Sequence, residues 1–576
     1  MTQHRNPPVK RTAPRPAPGL TVAIVGHRPD RIDDPAAVQA RLGEILGLIR
    51  ARVGSTSAGP DYAAEPPRLG LISALAEGAD RLGAAAALEA GFALEAVLPF
   101  PVGEYERDFD HEGSREEFHA LLARAASTLI LDGKAGARDR AYEAVGKALL
   151  DNCDLLIAVW DGKPGRGRGG TRDVVEEAVR RAIPVITVAP DGGTADVLRS
   201  PPGAAGPERL EDLVATPLDG LDDLIADLVG AGPRDQEPGP TSGPDLTRPP
   251  SRPWHYSAYP LMLKLVGAGP KRAGGKTSAE PPPPPPPPPT ALDEAFAWWD
   301  GAAIVAAQAF RSAVIVNFAL AALAVVLAAL SLFAGDAKWI FVVAEVATIL
   351  LLLTNTWHAG RRHWQARWLE SREVAEMLRV CLMLRKAGVG RGLATGETLG
   401  WNAWYVLALA RASPLQAADL SETEAASRTL VAEVSGQATW NEATAHRMHF
   451  AGHRIERIGE MLFVTVLAAA ISWLVLRVIE PHAAHDLKYA LTAVTAGLPA
   501  LATASYGIRV ILDFAGIAER SRRMAAALRA SLAAWNQTPP SAAALQEFIR
   551  RAADVMLGDV AAWRLLAEGR RLTIPG

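Results

Sequence analysis

Residues 154–171 read DLLIAVWDGKPGRGRGGT. From Asp154 to Trp160 the run is almost wholly apolar, the pattern of a strand buried on both faces. Trp160-Asp161-Gly162 breaks that strand, and Gly165 to Gly170 leads to Thr171 at the start of a helix that continues to Arg181. Flexible glycines let successive backbone N–H groups converge on an anion, and the first turn of a helix adds unsatisfied donors. Thr171 could touch a phosphate or cap the helix. Lys163, Arg166 and Arg168 could attract the anion or form a solvated basic rim.

The same strand–loop–helix unit recurs outward from this stretch. Thr21 to Val25 predicts a strand that runs into Gly26-His27-Arg28-Pro29, and Arg41 to Arg50 predicts a helix with Leu42, Ile45, Leu46 and Ile49 at helical spacing. Leu69 to Ser73 is the next strand, followed by Ala76-Glu77-Gly78-Ala79-Asp80 and an alanine-rich helix to about Ala90. Leu94 to Leu98 and Pro184 to Val188 complete the series. Strands alternating with helices predict an α/β domain with a parallel sheet covered on both faces, in which ligands meet the loops at the carboxyl ends of the strands. There Gly26 permits a tight turn, and His27 and Arg28 offer donors to phosphate or ribose oxygens. Ser73, Gly78 and Asp80 offer a hydroxyl, a close backbone approach and a ribose acceptor, although Ser73 could instead cap the following helix. Glu104, Tyr105, Glu106, Asp108, Asp110 and Glu112 lie in one loop that could gate a ligand or bind a cation, although no spacing selects a metal, and a charged, solvent-facing loop is the preferred reading.

Four segments in this order, VGHRPD (25–30), SALAEGAD (73–80), LEAVLPFPVGEYERDF (94–109) and YEAVGKALLDNCDLLIAVWDGKPGRGRGGT (142–171), resemble the SLOG superfamily. That Rossmann-like group includes DNA-processing protein A and the LONELY GUY nucleotide hydrolases. The resemblance covers roughly residues 20–195. It implies a nucleotide or nucleotide-derived ligand surrounded by Gly26, His27, Arg28, Ser73, Gly78, Asp80, Asp161, Gly169, Gly170 and Thr171. Members that cleave the N-glycosidic bond carry a PGGxGTxxE motif. Here Gly169-Gly170-Thr171 matches its glycine–threonine part, but Val174 stands where the carboxylate belongs and cannot serve as a base. Glu176 and Glu177 project in other directions from a helix. The reading therefore assigns no catalytic residue, cofactor or metal.

The second half of the chain has a different solvent. Ser312 to Gly335 is 24 residues without a formal charge, ample to cross a bilayer as a helix. Trp339 to Thr356 carries one charge, Glu345, which could line a pore, face another subunit or lie protonated in a static bundle. About 461–479 and 489–508 form a second pair, with Arg477 placed to snorkel. The expectation is an all-α membrane domain over 291–535 with four transmembrane helices, followed by C-terminal cytoplasmic helices over 536–576. Arg361, Arg362 and Arg367, Arg454 and Arg457, and Arg509, Arg520, Arg522 and Arg523 flank the spans on one side, which places both termini in the cytoplasm of a multi-pass membrane protein. Residues 1–19 read as a disordered basic leader, not a signal peptide. Residues 196–290 read as a linker with a short helix at Gly220 to Val229 and nine prolines, Pro281 to Pro289, extending about 28 Å. Trp254 to Val266 could rest on a bilayer or pack on the soluble domain.

WHAGRRHWQARWLESREVAEMLRV (357–380) could extend the second span as a helix into the cytoplasm, and WNEATAHRMHFAGHRIERIGE (440–460) leads into the third. His446, His449 and His453 lack the Cys or acidic companions of a metal site and read as packing or interfacial residues. This arrangement of aromatic, basic helices with paired spans is similar to the SLATT membrane effector domains associated with SLOG sensors, over about residues 295–535. The resemblance implies a nucleotide signal coupled to membrane disruption in prokaryotic defence, a homo-oligomer in a lipid bilayer, and an enzyme partner that makes the signal. A net charge of −3 without a basic reading module gives no support for direct nucleic-acid binding. Cys153 and Cys381, isolated from each other, fit a reducing compartment. The alternatives left open are a membrane-anchored nucleotide N-glycosidic hydrolase and a membrane adaptor that binds no ligand.

Overall fold

Burial along the first strand alternates between two separate cores. Val22 and Ile24 point into one, Ala23 and Val25 into the other, so both faces of the sheet are covered. The computed structural model describes residues 12–57, 59, 61–109, 111–163, 169–199, 215–230, 252–269, 289–390, 400–480, 482 and 487–568. The leader as far as Arg11, most of the proline run, and Asp110, Gly165, Arg166 and Arg168 lie outside these residues.

The strands are β1 Gly19–Gly26, β2 Arg68–Ser73, β3 Ala93–Leu98, β4 Ser127–Ile130, β5 Leu155–Val159, β6 Val185–Val188, β7 Ala195–Leu198, β8 Thr216–Pro217 and β9 Ala418–Asp419. They form one sheet in the order β8-β7-β6-β5-β1-β2-β3-β4-β9. The pairs among β1 to β6 are parallel, as expected, whereas β7 and β8 finish one edge antiparallel. The far edge is completed in parallel by β9, which comes from the helical half of the chain. Helix α1 Pro35–Thr56 begins earlier than its apolar spacing indicated, because Asp34 accepts from Ala37 N (3.0 Å) as its cap and Pro35 suits the first turn. The remaining helices of this half are α2 Ala79–Glu89, α3 Val102–Tyr105, α4 Glu112–Ala123, α5 Arg138–Asn152, α6 Thr171–Arg180 and α7 Leu221–Val229. Leu221, Leu224, Ile225 and Val229 of α7, within the stretch read as linker, are buried in the same core as α1.

Apart from β9, the described residues of the C-terminal half form helices: α8 Ala258–Leu265, α9 Ala291–Leu330, α10 Lys338–Arg361, α11 Trp364–Lys386, α12 Trp401–Arg411, α13 Thr423–Ile479, α14 Lys488–Ile511, α15 Phe514–Gln537 and α16 Ala542–Glu568. Helices α9, α10, α13 and α14 supply four stretches long and apolar enough to cross a membrane. Two of these helices run straight through into the sheet-side bundle. The other two do not: α10 does not extend into the next helix but stops at His363 (φ 50°), and α14 stops at Asp513 (φ 52°). Both corners are left-handed, a conformation uncommon for residues other than glycine. Asp513 holds its corner by accepting from Gly516 N (3.1 Å) and from Arg520 (3.2 Å). The architecture thus repeats, with α9 packed on α10 and α11, and α13 packed on α14 and α15. Trp254 to Val266 joins this helical part instead of the sheet. Glu345 is half-buried on α10.

Helix α12 fastens the two halves. Tyr405 donates its hydroxyl to Pro14 O (2.6 Å), and Arg411 donates to Leu228 O (2.6 Å) and to Asp154 Oδ1 (2.8 Å). Asp154 also accepts from Thr21 N (2.9 Å), so the pair binds α12 to the amino ends of β1 and β5. Around it one core runs from Ala23 and Leu156 in the sheet to Trp299, Leu378, Leu407 and Leu528 in the helices. Arg411 and Asp154 are both buried, and removing one member of such a pair leaves an uncompensated charge in a low dielectric. Arg411→Met should lower stability by about 3–5 kcal/mol, read as an earlier thermal midpoint of the detergent-solubilised chain. Adding Asp154→Asn, which keeps an acceptor for Thr21, should recover most of that loss.

Candidate functional site

β1 and β5 lie side by side, but the helices that follow them cover opposite faces of the sheet: α1 packs in one core and α6 in the other. The loops leaving their carboxyl ends must therefore diverge, which opens a crevice between them. A cleft of about 290 Å³ occupies this point, bounded by the β1 loop, the start of α2, α5 and the start of α6.

Gly26, His27, Arg28, Asp80, Gly169, Gly170 and Thr171 all line it. Gly26 is there for packing, since a Cβ would sit 2.4 Å from Ala79 Cβ and 2.8 Å from that of Val159. Thr171 does not cap α6. The cap position belongs to Gly170, so the threonine is the first helical residue, at an end where backbone N–H groups lack intrahelical acceptors. One neighbouring donor is already engaged, Gly169 N to Asp173 (2.8 Å).

Ser73, Gly78 and Asp161 are not among the lining residues. The buried Ser73 hydroxyl accepts from Leu75 N (3.0 Å) and donates to Asp80 O (3.3 Å), so it shapes the turn into α2. Gly78 has φ 95°, and a Cβ there would lie 2.4 Å from His27 O; it lets α2 approach the β1 loop, where Ala79 N donates to His27 O (3.1 Å). Asp161 braces the two loops together. Its carboxylate accepts from Arg31 (2.8 Å) and Lys163 N (3.1 Å) and lies 3.0 Å from His27 Nε2. The same His27 nitrogen is 3.3 Å from Asp161 N, so one tautomer serves the carboxylate and the other the amide. Desolvation opposes ionisation of Asp161, but the bonds from Arg31, Lys163 N and His27 outweigh it and hold the carboxyl well below its ordinary range.

The acidic segment is not a solvent-facing loop. Tyr105 is buried against Phe109 and Phe118, and Asp108 accepts from Tyr142 and Arg138. Glu104 accepts from Arg138 as well (2.7 Å). These bonds fold the segment back over the cleft and bring Tyr105 and Tyr142 into its lining. Among the described residues the buried Tyr105 hydroxyl has no hydrogen-bond partner, a state that buried polar groups seldom tolerate. Hidden among carboxylates, Tyr105 showed no spacing that marks a site residue, and neither did Tyr142 on α5.

Val174 also lines the cleft. Glu176 is engaged by Arg172 (2.6 Å) and Glu177 by Arg181 (2.6 Å). Among the described residues no group of three or more His, Cys, Asp or Glu side chains could hold a metal ion. His446, His449 and His453 are exposed along α13, and the two cysteines are buried as free thiols. Neither a protein-family model nor a curated protein matches this chain.

Asp80 is the electrostatic centre of the cleft. Desolvation pushes its carboxyl up to about 7, against the opposing pull of Arg28, the Ala76 amide, Arg81 and the Ala74 amide. Because the native state holds this proton more tightly than the unfolded chain, the associated stability is complete below the ordinary value of 3.8 and is lost as pH rises through 7. Asp80→Asn should therefore flatten the decline in thermal stability between about pH 4 and pH 7, measured on the full chain. An unaltered slope would assign the decline to another group.

Proposed function

We propose that the α/β half, about residues 20–195, senses a nucleotide or nucleotide-derived ligand, and that the signal is passed to a membrane effector over residues 291–535 of the SLOG–SLATT kind. The observation that carries this reading is the convergence of three features in one cleft: the N-terminal turn of α6, the Tyr105 hydroxyl, which has no hydrogen-bond partner among the described residues, and the protonatable Asp80. A phosphate suits the N-terminus of α6 beside Gly169 and Gly170, where the helix dipole and the cations of Arg28 and Lys163 favour an anion. Tyr105 and Asp80 suit sugar hydroxyls, and Trp160 and Tyr142 offer aromatic surface for a base. Val174 in place of the carboxylate supports binding without turnover.

In this reading the output is membrane permeability, and the route is mechanical. Ligand drawn between the β1 and β5 loops orders the carboxyl ends of strands whose amino ends are held by Arg411 of α12. Coupling of this kind needs a ligand that binds one arrangement of the helices better than another. The arginines flanking the spans favour a cytoplasmic sheet and cytoplasmic termini, where nucleotide signals made by a partner enzyme would reach the cleft. Assembly into a homo-oligomer would supply the pore.

The test uses the full chain, because the sheet shares its core with the C-terminal helices. Calorimetry against a panel of nucleoside phosphates and cyclic nucleotides should find a ligand whose affinity falls at least about tenfold on Arg28→Ala or Thr171→Val, the scale of a lost charge-assisted hydrogen bond. The same ligand should release dye from reconstituted vesicles. No binding across the panel would overturn the sensor, and release of free base from the ligand would turn the reading into a hydrolase.

A further inference from the structure

Arg311 is the last charged residue before the 24-residue uncharged run that starts at Ser312, so it marks the height at which α9 leaves the aqueous side. Helix α8 is fixed at that height. Tyr259 N donates to Ser312 Oγ (3.1 Å), while Ser312 Oγ and Gln308 donate to Tyr256 O (2.9 and 3.1 Å). The Arg311 guanidinium lies over the Tyr259 ring at 5.1 Å. Tyr259, Leu263 and Val266 are buried with Phe310, Met448 and Phe514, and His255 packs against Trp364, the residue that follows the left-handed corner.

The opposite face of this short element is apolar and, among the described residues, uncovered. Trp254 is 72% exposed, Leu261 55% and Leu265 77%, with Leu261 and Leu265 one helical turn apart. Water is a poor solvent for three large side chains held rigidly on one surface. Two observations identify what covers them. The patch is tied through Tyr256 and Tyr259 to Ser312, where the uncharged run of α9 begins, and the exposed apolar surface of Leu323 and Val325 follows further along the same helix. Residues 252–269 also contain Arg252 and Lys264 but no acidic residue, and Arg454 lies beside Gly267. A tryptophan, a leucine pair and flanking cations suit the headgroup–acyl boundary of an anionic leaflet.

We propose that α8 is an interfacial strap, with Trp254, Leu261 and Leu265 inserted at the headgroup–acyl boundary of the sheet-side leaflet and Arg252 and Lys264 facing anionic headgroups. Because the buried face of α8 packs on α9, α13 and α15 beside the two corners, the leaflet would act on the helical bundle through it. This inference stands whether or not the cleft binds a nucleotide.

The test places a bimane label on Leu265→Cys in the full chain, with Leu48→Cys on α1 as the aqueous control; both native cysteines are buried. The proteins are reconstituted in nanodiscs of phosphatidylcholine, alone or mixed with phosphatidylglycerol, each carrying a doxyl-labelled lipid. The strap requires severalfold stronger quenching at position 265 than at position 48, stronger still in the phosphatidylglycerol discs. The double substitution Arg252→Gln and Lys264→Gln should erase the difference between the two lipids. Equal quenching at 265 and 48 would overturn the strap, as would pyrene excimer emission from labels at 265, which would show a second copy covering the face. Quenching indifferent to phosphatidylglycerol would overturn the anionic part.

Discussion

Apolar helix surface that no protein element covers has to be covered by lipid, and this constraint organises the whole chain. Along α13 the buried residues, among them Leu430, Val434, Ala438, Ala445, Met448 and Ala451, form one stripe that ends at Ile455. Beyond Met461 the helix exposes Phe463, Val464, Leu467 and Leu474 along one face, while its other face is half-buried beside α14. Each such side chain left in water forgoes about 1.5–3 kcal/mol of transfer free energy, so a row of them settles the solvent without reference to any partner. Polar contacts inside the spans are few and paired: Asn355 donates to Asn317 Oδ1 (2.7 Å), and Asn317 to Thr356 (2.8 Å), as lipid demands.

The same helices must also be read by an aqueous sheet, and the corners make that possible. By ending α10 at His363 and α14 at Asp513, the chain frees α11 and α15 to pack on the unbroken sheet-side portions of α9 and α13. The resulting bundle shares a core with the sheet, and α12, β9 and the buried pair of Arg411 and Asp154 leave little room for the two halves to move separately. A change at the carboxyl ends of β1 and β5 is then transmitted through packed side chains rather than through a flexible tether.

The sequence was most legible where burial is periodic or total. β1, β2, β3, β5 and β6 are short apolar runs next to turn residues, and each was found within a residue or two of its bounds. β4 and β7 to β9, at the two ends of the sheet, were missed, because such short, partly buried strands are fixed by their neighbours and not by their own pattern. The corners at His363 and Asp513 left no glycine or proline to announce them. In the cleft, glycines and charged residues in loops after strands were readable, whereas Tyr105 became visible only once Arg138 and Asp108 had folded its segment inward. Ser73, Gly78 and Asp161 lie in loops beside the cleft, where they serve the turns that build it and do not line it.

The division of the chain between water and lipid is tested most directly by spin labels placed one at a time along α13, with collision rates measured against oxygen and a water-soluble nickel chelate. Labels before Ile455 should show a helical period set by the buried stripe, and from Met461 to Ile479 oxygen should dominate at every position. Nickel collisions dominating throughout the second stretch would place that helix in water and contradict the account.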